Sequence, residues 1–383
     1  MNVLFALDTR LAKHGSFEDL LLALSAEIAR RGGKSTFVFP GIGVPELGRA
    51  LAVHSQVHVL ERPWRSPRIG VELLRLVARE RPDVLNTHFC DGLRFLPLYL
   101  GARARGVRVF FHYHGEIRPL DEVHPIKRHL SALRLQTLPV HRILTVSQAN
   151  ARFLRHLAVR PPIDVVYNGI DLSRFAPGGS SRAAIERYGL NRDWRYLCYI
   201  GSLIPRKRPE RLLKSFAAVL SREPELRLVL VGGGDIERYR LQARALGIEE
   251  RVIFTGLTQE YPIDLLRHAE VLVSASAQES FGLLFAEAFA LGVPVVACRV
   301  GGVPEVVGDG EVGLLADPHD LEDFTDKILR LTRDEPLRRK LSARARLWVE
   351  RRFSLQAEVE KLLDCFASGH KSATVVSPSA AAS

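Results

Sequence analysis

The sequence predicts an α/β protein built from two successive doubly wound, Rossmann-like units. Short apolar runs alternate with helical periods along the 383-residue chain, the pattern of an open parallel sheet with helices on both faces. The alternation breaks at Asn168-Gly-Ile-Asp171 and Pro177-Gly-Gly-Ser-Ser181, which have linker composition, and then restarts. The length suits two domains of ordinary size.

In the first unit, 1–170, strands are expected at 2–7, 35–39, 57–60, 83–87, 107–112, 142–146 and 163–167. Helices are expected at 17–31, 69–80, 91–104, 125–137 and 148–157. The first of these carries Phe17, Leu20, Leu21, Leu24 and Ile28 on one stripe. In the second unit, 171–352, strands fall at 195–200, 226–231, 251–254, 270–274 and 294–298. Helices intervene at 208–222, 236–246, 262–268 and 282–291, and helical segments follow at 319–332, 335–352 and 355–367. Residues 368–383 are rich in Ser and Ala and are expected to be disordered. Two such units leave a cleft at the carboxyl ends of their strands, where ligands bind.

Apolar residues make up 46% of the chain, enough for sizeable cores, yet no apolar run is long enough to span a bilayer. Met1 to Asp8 has no basic start and reads as a buried strand, not a signal peptide. The four cysteines form no CxxC pair, which fits a reduced cytosolic compartment and argues against structural zinc. The net charge is +11, and ten of those charges fall in residues 1–170. Such a basic body attracts anionic lipid headgroups or polyphosphates, although Arg-rich composition alone gives a similar surplus. No nucleic-acid motif is present, so nucleic acid is not expected as a partner. Residues 124–138 mix Lys127, Arg128 and Arg134 with Ile126, Leu130, Leu133 and Leu135. That mixture suits a helix on an anionic membrane and, equally, a domain helix with one buried face.

The most telling stretch is Glu279-Ser-Phe-Gly-Leu-Leu-Phe-Ala-Glu287. One carboxylate sits in a loop and the second, eight residues on, lies inside a helix that opens near Gly282. A helix N-terminus exposes unpaired N–H groups and a partial positive charge, and a glycine there lets an anion approach. A phosphate is the natural guest. The flanking carboxylates accept hydrogen bonds from sugar or ribose hydroxyls. Together they fit a sugar joined to a nucleotide through a diphosphate. An isolated glutamate pair would more often be a dipole-balancing residue and a solvated one, but the neighbouring segments argue otherwise.

Gly201-Ser-Leu-Ile-Pro-Arg-Lys-Arg-Pro209 sets Arg206, Lys207 and Arg208 between a strand end and a helix start. Cations oppose the helix dipole there, a conflict that bound phosphate relieves. His112-Tyr-His114-Gly-Glu116 ends a strand, and a histidine there can bond a sugar or serve the core. Lys13-His-Gly-Ser16 joins the first strand to the first helix, another place where amides meet anions. Gly232-Gly-Gly234 lacks the spacing of a P-loop or a dinucleotide fingerprint. Gly301-Gly-Val-Pro-Glu305 could contact the ligand or simply turn the chain, and the turn is the safer reading. No DxD pair occurs, and Asp317, Asp320 and Asp323 have the spacing of a solvated helix face. No metal is therefore expected, and the diphosphate charge would fall to Lys207, its Arg neighbours and the helix start at Gly282.

In their order and spacing, these segments resemble the retaining GT-B glycosyltransferases of glycosyltransferase family 4, over nearly the whole chain to about Phe366. Glu279 and Glu287 match the EX7E element, and Gly201 and Lys207 match the strand–glycine–loop–lysine element. Asn168 to Asp171, with Phe175, match the hinge, Gly15 the early glycine loop and His114 the mid-domain histidine. Arg251-Val-Ile-Phe-Thr-Gly256 and Gly301 to Glu305 match two further segments.

The resemblance implies an acceptor-side first domain (1–170), a nucleotide-sugar-binding second domain (171–352) and a helix (353–367) crossing back to the first. It implies a UDP- or GDP-sugar donor and no cofactor. Glu287 would hold ribose and Glu279 the sugar hydroxyls. The amides of Phe281, Gly282 and Leu283, beside Ser280, would hold the diphosphate. Lys207 would stabilise the leaving phosphate, and His114 would reach the sugar from the first domain. Gly15, Gly201, Ser202 and Arg206 would complete the donor site. Attack would come on the face that the phosphate leaves, with that phosphate taking the acceptor proton. The implied setting is cytoplasmic, or peripheral at the inner face of an anionic membrane. There the enzyme would glycosylate a sugar or lipid-linked acceptor in cell-envelope or polysaccharide synthesis.

The chain departs from the family pattern twice. Ser202 stands where many relatives have Arg, a role left to Arg206 or Arg208, and His14-Gly15 replaces a glycine pair. Two alternatives are a GT-B sugar-nucleotide epimerase, disfavoured by the EX7E element, and a non-catalytic nucleotide-sugar-binding subunit, invited by Ser202.

Overall fold

The computed structural model describes residues 1–11, 14–60, 64–115, 133, 135–176, 185, 186, 188–191, 193–258 and 262–368. Lys13, Glu116, most of the helix expected at 125–137, the 177–181 linker and the tail from 369 lie outside them.

The first unit runs β1 (Val3–Leu7), α1 (Ser16–Arg30), β2 (Ser35–Phe39), α2 (Pro45–Ala52), β3 (Ser55–Val59) and α3 (Ile69–Glu80). It continues with β4 (Val84–His88), α4 (Leu96–Ala104), β5 (Arg108–Tyr113), β6 (Arg142–Thr145), α5 (Gln148–His156) and β7 (Ile163–Val165). Its seven strands lie in the order β3-β2-β1-β4-β5-β6-β7, all parallel. The second unit runs β8 (Tyr196–Ile200), α6 (Pro209–Leu220), β9 (Arg227–Val231), α7 (Ile236–Ala245), β10 (Val252–Gly256) and α8 (Ile263–Arg267). Then come β11 (Val271–Ser274), α9 (Leu283–Ala290), β12 (Val295–Cys298), α10 (Val303–Val307) and β13 (Gly313–Ala316). Its six parallel strands take the order β10-β9-β8-β11-β12-β13. Helices α11 (Leu321–Arg333), α12 (Glu335–Arg352) and α13 (Leu355–Ala367) follow.

Parallel sheets covered on both faces need strands without a polar side. β1, β2 and β4 accordingly bury every residue. Phe5 stacks on Phe37 at 4.6 Å in the first sheet. The sequence reading missed α2, α10 and β13. α2 opens on a proline at its first position and buries only Leu47 and Leu51. β13 is the four-residue run Gly-Leu-Leu-Ala, too short to show a period.

After the second unit the chain returns to the first. Ile170 N donates to Phe353 O at 2.9 Å and Leu355 N to Ile170 O at 3.0 Å, a short parallel bridge beside the hinge. A Cβ on Gly169 would lie 2.7 Å from the Leu355 backbone, so the hinge needs glycine there for close approach. From this bridge α13 packs on α1, with Phe366 edge-on to Phe110 at 5.1 Å. The strand order reverses between β1 and β4 and between β8 and β11, the switch points at which doubly wound sheets open a crevice.

Candidate active site

A cleft of about 350 Å³ opens between the two sheets at the carboxyl ends of their strands. His114 reaches it from the first unit, and Arg206, Lys207 and Glu279 with residues 280–285 from the second. Ile200, Ser274 and Ser276 place its floor at the β8–β11 switch point.

Lys207 Nζ donates to Glu279 Oε1, and both side chains are largely buried. The loop bearing Glu279 is shaped from behind. Gly302 N donates to Glu279 O at 3.1 Å. A Cβ on Gly301, whose φ is +50°, would collide with the same carbonyl, and one on Gly302 would collide with Ser280 O. The Gly301-Gly302 pair is therefore more than a turn: it lets the Glu279 loop lie against it. At the start of α9, Gly282 adopts φ +98°, where any Cβ would meet the Phe285 ring. Among the described residues no side chain caps the helix, so its first amides face the cleft side.

Glu287 stands one turn behind that edge, 6% exposed, and its Oε1 accepts a 2.6 Å hydrogen bond from Ser16 Oγ of the first unit. Ser280 Oγ donates to Gly115 O at 2.8 Å and to His114 O at 3.2 Å. Glu305 accepts from the Gln148 and Ala149 amides, each at 2.7 Å, and so caps α5. Polar contacts of Glu287, Ser280 and Glu305 thus cross between the units around the cleft.

His114 belongs to a trio with His88 and His112. Burial pushes the His114 ring down to about 4 and holds His88 and His112 well below the ordinary histidine range, with the other imidazoles adding to the effect on those two. All three are neutral at physiological pH. His88 Nδ1 lies 2.9 Å from His114 Nε2. His112 stacks on His114 at 4.4 Å and 23°, whereas His88 meets His114 edge to edge, the ring centres 5.2 Å apart and the planes within 25°. The His88–His114 bond makes the trio a hydrogen-bonding cluster, with one nitrogen of each ring within 4.8 Å of the others. Among the described residues neither buried ring nitrogen of His112 has a hydrogen-bond partner, a cost of about 1–3 kcal/mol.

The cleft gathers His114, Arg206, Lys207, Glu279, Ser280, Phe281, Gly282 and Leu283. Of the two candidate arginines, Arg206 lines it, whereas Arg208 turns away and donates to Pro318 O at 2.8 Å. Gly201 and Ser202 lie on the loop leading to Arg206, and a Cβ on Gly232 would collide with Gly201 O. The Gly232–Gly234 run thus serves loop packing. Gly15 precedes α1, and its amide already donates to Glu18 Oε2 at 3.0 Å. His14 folds onto its own helix, 2.6 Å from Asp19. Sequence reasoning missed Ser16, Asn86 and His88. Ser16 is adjacent to a recognised glycine, and the strand expected at 83–87 stopped one residue short of His88.

Residues 18–174 match the family model described as Glycosyltransferase Family 4, and residues 180–348 match the one described as Glycosyl transferases group 1. The chain belongs to glycosyltransferase family 4. It is 28% identical over 341 residues to N-acetyl-alpha-D-glucosaminyl L-malate synthase of Bacillus anthracis, covering 86% of this chain and 88% of that one. It is 37% identical over 249 residues to a D-inositol 3-phosphate glycosyltransferase of Thermomonospora curvata, covering 60% of this chain and 57% of that one. The chain therefore spans little more than half the length of that second relative. HepE of Anabaena, solved with UDP-glucose, superposes with a TM-score of 0.78 over 96% of this chain and all of its own, at 20% identity. A glycosyltransferase of Rickettsia africae gives 0.79 at 17% identity, over 96% of this chain and 98% of that one. These likenesses establish the fold, which is GT-B.

Proposed function

We propose that this family 4 enzyme is a retaining, metal-independent hexosyltransferase that moves a sugar from a UDP- or GDP-sugar to an acceptor hydroxyl. One observation carries the reading. A single cleft unites the Lys207–Glu279 pair, the uncapped start of α9 and His114.

In this reading the diphosphate lies on the amides of Phe281 to Leu283, with Arg206 and Lys207 against its oxygens. Glu279 exchanges Lys207 for a sugar hydroxyl, Glu287 takes the ribose, and neutral His114 donates to the sugar from the opposite wall. Lys207 stabilises the charge that develops as the glycosidic C–O bond breaks. The acceptor oxygen attacks on the same face, and its proton passes to the departing phosphate. The relatives' names, which give malate and inositol 3-phosphate, and the basic first domain favour an anionic acceptor. Lipid-linked and saccharide acceptors of cell-envelope or polysaccharide synthesis remain in this class, handled in the cytoplasm or at the inner face of the membrane.

The test is a thermal-shift screen of UDP-, GDP- and ADP-sugars, since a ligand of the native state raises its melting temperature. Transfer to candidate acceptors with and without EDTA follows. No shift with any donor would overturn the reading, and a strict metal requirement would overturn its charge argument. Epimerisation of the donor without acceptor would support the epimerase alternative.

A further inference from the structure

We propose that Asn86 and His88 are positioning residues that fix the tautomer of His114, leaving its Nδ1–H to donate to the bound sugar. The inference rests on the sugar-facing role proposed for His114. Asn86 Nδ2 lies 3.1 Å from His88 Nε2. A carboxamide nitrogen only donates, so Nε2 accepts. A neutral imidazole has one donor and one acceptor, so His88 Nδ1 carries the proton. It donates to His114 Nε2 at 2.9 Å. The His114 proton is then on Nδ1, the ring nitrogen left for the cleft that His114 lines.

The topology builds this chain of bonds. Asn86 and His88 alternate onto one face of β4, and His88 pairs in register with His112 on β5. His114 is two residues further along β5, just past its end. Asn86, His88 and His112 are fully buried, so the relay is shielded from bulk solvent. Burial also keeps the rings neutral, as a one-way relay requires. The His114 ring is clamped as well. Phe89 stacks on it at 4.7 Å, Phe17 meets it edge-on at 5.9 Å, and His112 lies against it. Phe89 holds φ +62°, a strained value for an aromatic residue. With the ring orientation set by packing, the proton's position is what the relay decides.

The test uses the full chain with isotope-labelled histidine ring nitrogens and long-range proton–nitrogen spectra near neutral pH. His114 is assigned by the signals lost in His114→Gln. The expected wild-type spectrum shows His114 protonated at Nδ1 and bare at Nε2. In His88→Phe, which keeps a ring but not the relay, and in Asn86→Leu, that preference should be lost. Turnover should fall by about tenfold or more with donor KM changed by less than about threefold, the pattern of a misdirected proton. A wild-type His114 protonated at Nε2 would sink the proposal, as would an unchanged tautomer in either folded variant. If His88→Phe fails to fold, Asn86→Leu and the wild-type spectrum still decide. The spectrum reads the ring and not turnover, so failure of the transferase reading remains distinguishable.

Discussion

Lys207 and Glu279 pair on the second unit's wall of the cleft, and the partners must separate if phosphate and sugar are to take their places. Lys207→Ala should lower turnover by about 10²–10³-fold, the loss typical of removing one group that meets developing charge. Steady-state transfer kinetics check this, and a loss confined to KM would argue against a role in bond breaking. Glu279, Lys207, Gly282 and His114 were legible in the sequence because each sits in a short local motif. The partner of Glu287 was not, because Ser16 lies 271 residues away in sequence. Asn86 and His88 were hidden for a different reason: within a buried parallel strand, polar residues interrupt an apolar run without any period to mark them.

Helix α13 shows what an element adds. Phe366 is fully buried against β1 and β5, and Phe366→Ala should cost about 3–5 kcal/mol, measurable by urea unfolding. The same helix carries Glu358, buried beside the hinge, where its Oε2 accepts from Gly169 N at 2.6 Å. Burial pushes its carboxyl up to about 8, against the lowering effect of that bond. Between the ordinary value of 4.5 and about 8, the unfolded chain has released this proton while the native chain keeps it. Stability should therefore fall as pH rises through that window, by at most roughly 1.4 kcal/mol per pH unit, and level off above it. Glu358→Gln keeps the acceptor and should flatten the slope, read from unfolding midpoints across that range. An unchanged slope would assign the pH dependence to other groups. Long periodic helices such as α1 and α13 were readable from sequence. The brief α10 and β13 were not, since four or five residues hold no full period and only their neighbours stabilise them.

Across the whole molecule, the Glu305 carboxylate caps a helix of the opposite domain. It joins the partial positive charge of α5 to the segment that shapes the Glu279 loop. Glu305→Gln should loosen domain closure, seen as a larger radius of gyration in solution scattering and a donor KM raised severalfold. An unchanged radius and KM would limit this contact to local capping. The uneven charge also acts at this scale. The protein should co-sediment with anionic vesicles at low ionic strength and weakly at high. Absence of binding at low salt would remove the membrane from its proposed setting. No helix among the described residues is long and apolar enough to cross a membrane. Two-unit architecture was legible because the strand–helix alternation visibly restarts; the contacts that join the units were not, because they pair residues from separate chapters of the chain.

The Ser16 hydroxyl gives nucleotide selection an unusual footing. Under the proposed role of Glu287, an arriving ribose meets a carboxylate oxygen already engaged by an alcohol of the protein's own. Recognition there is partly barter, one hydroxyl displacing another, and such an exchange discriminates less than filling a bare acceptor does. Ser16→Ala should therefore sharpen the preference for ribo- over deoxyribonucleotide donors, and competition binding with the two would reveal it.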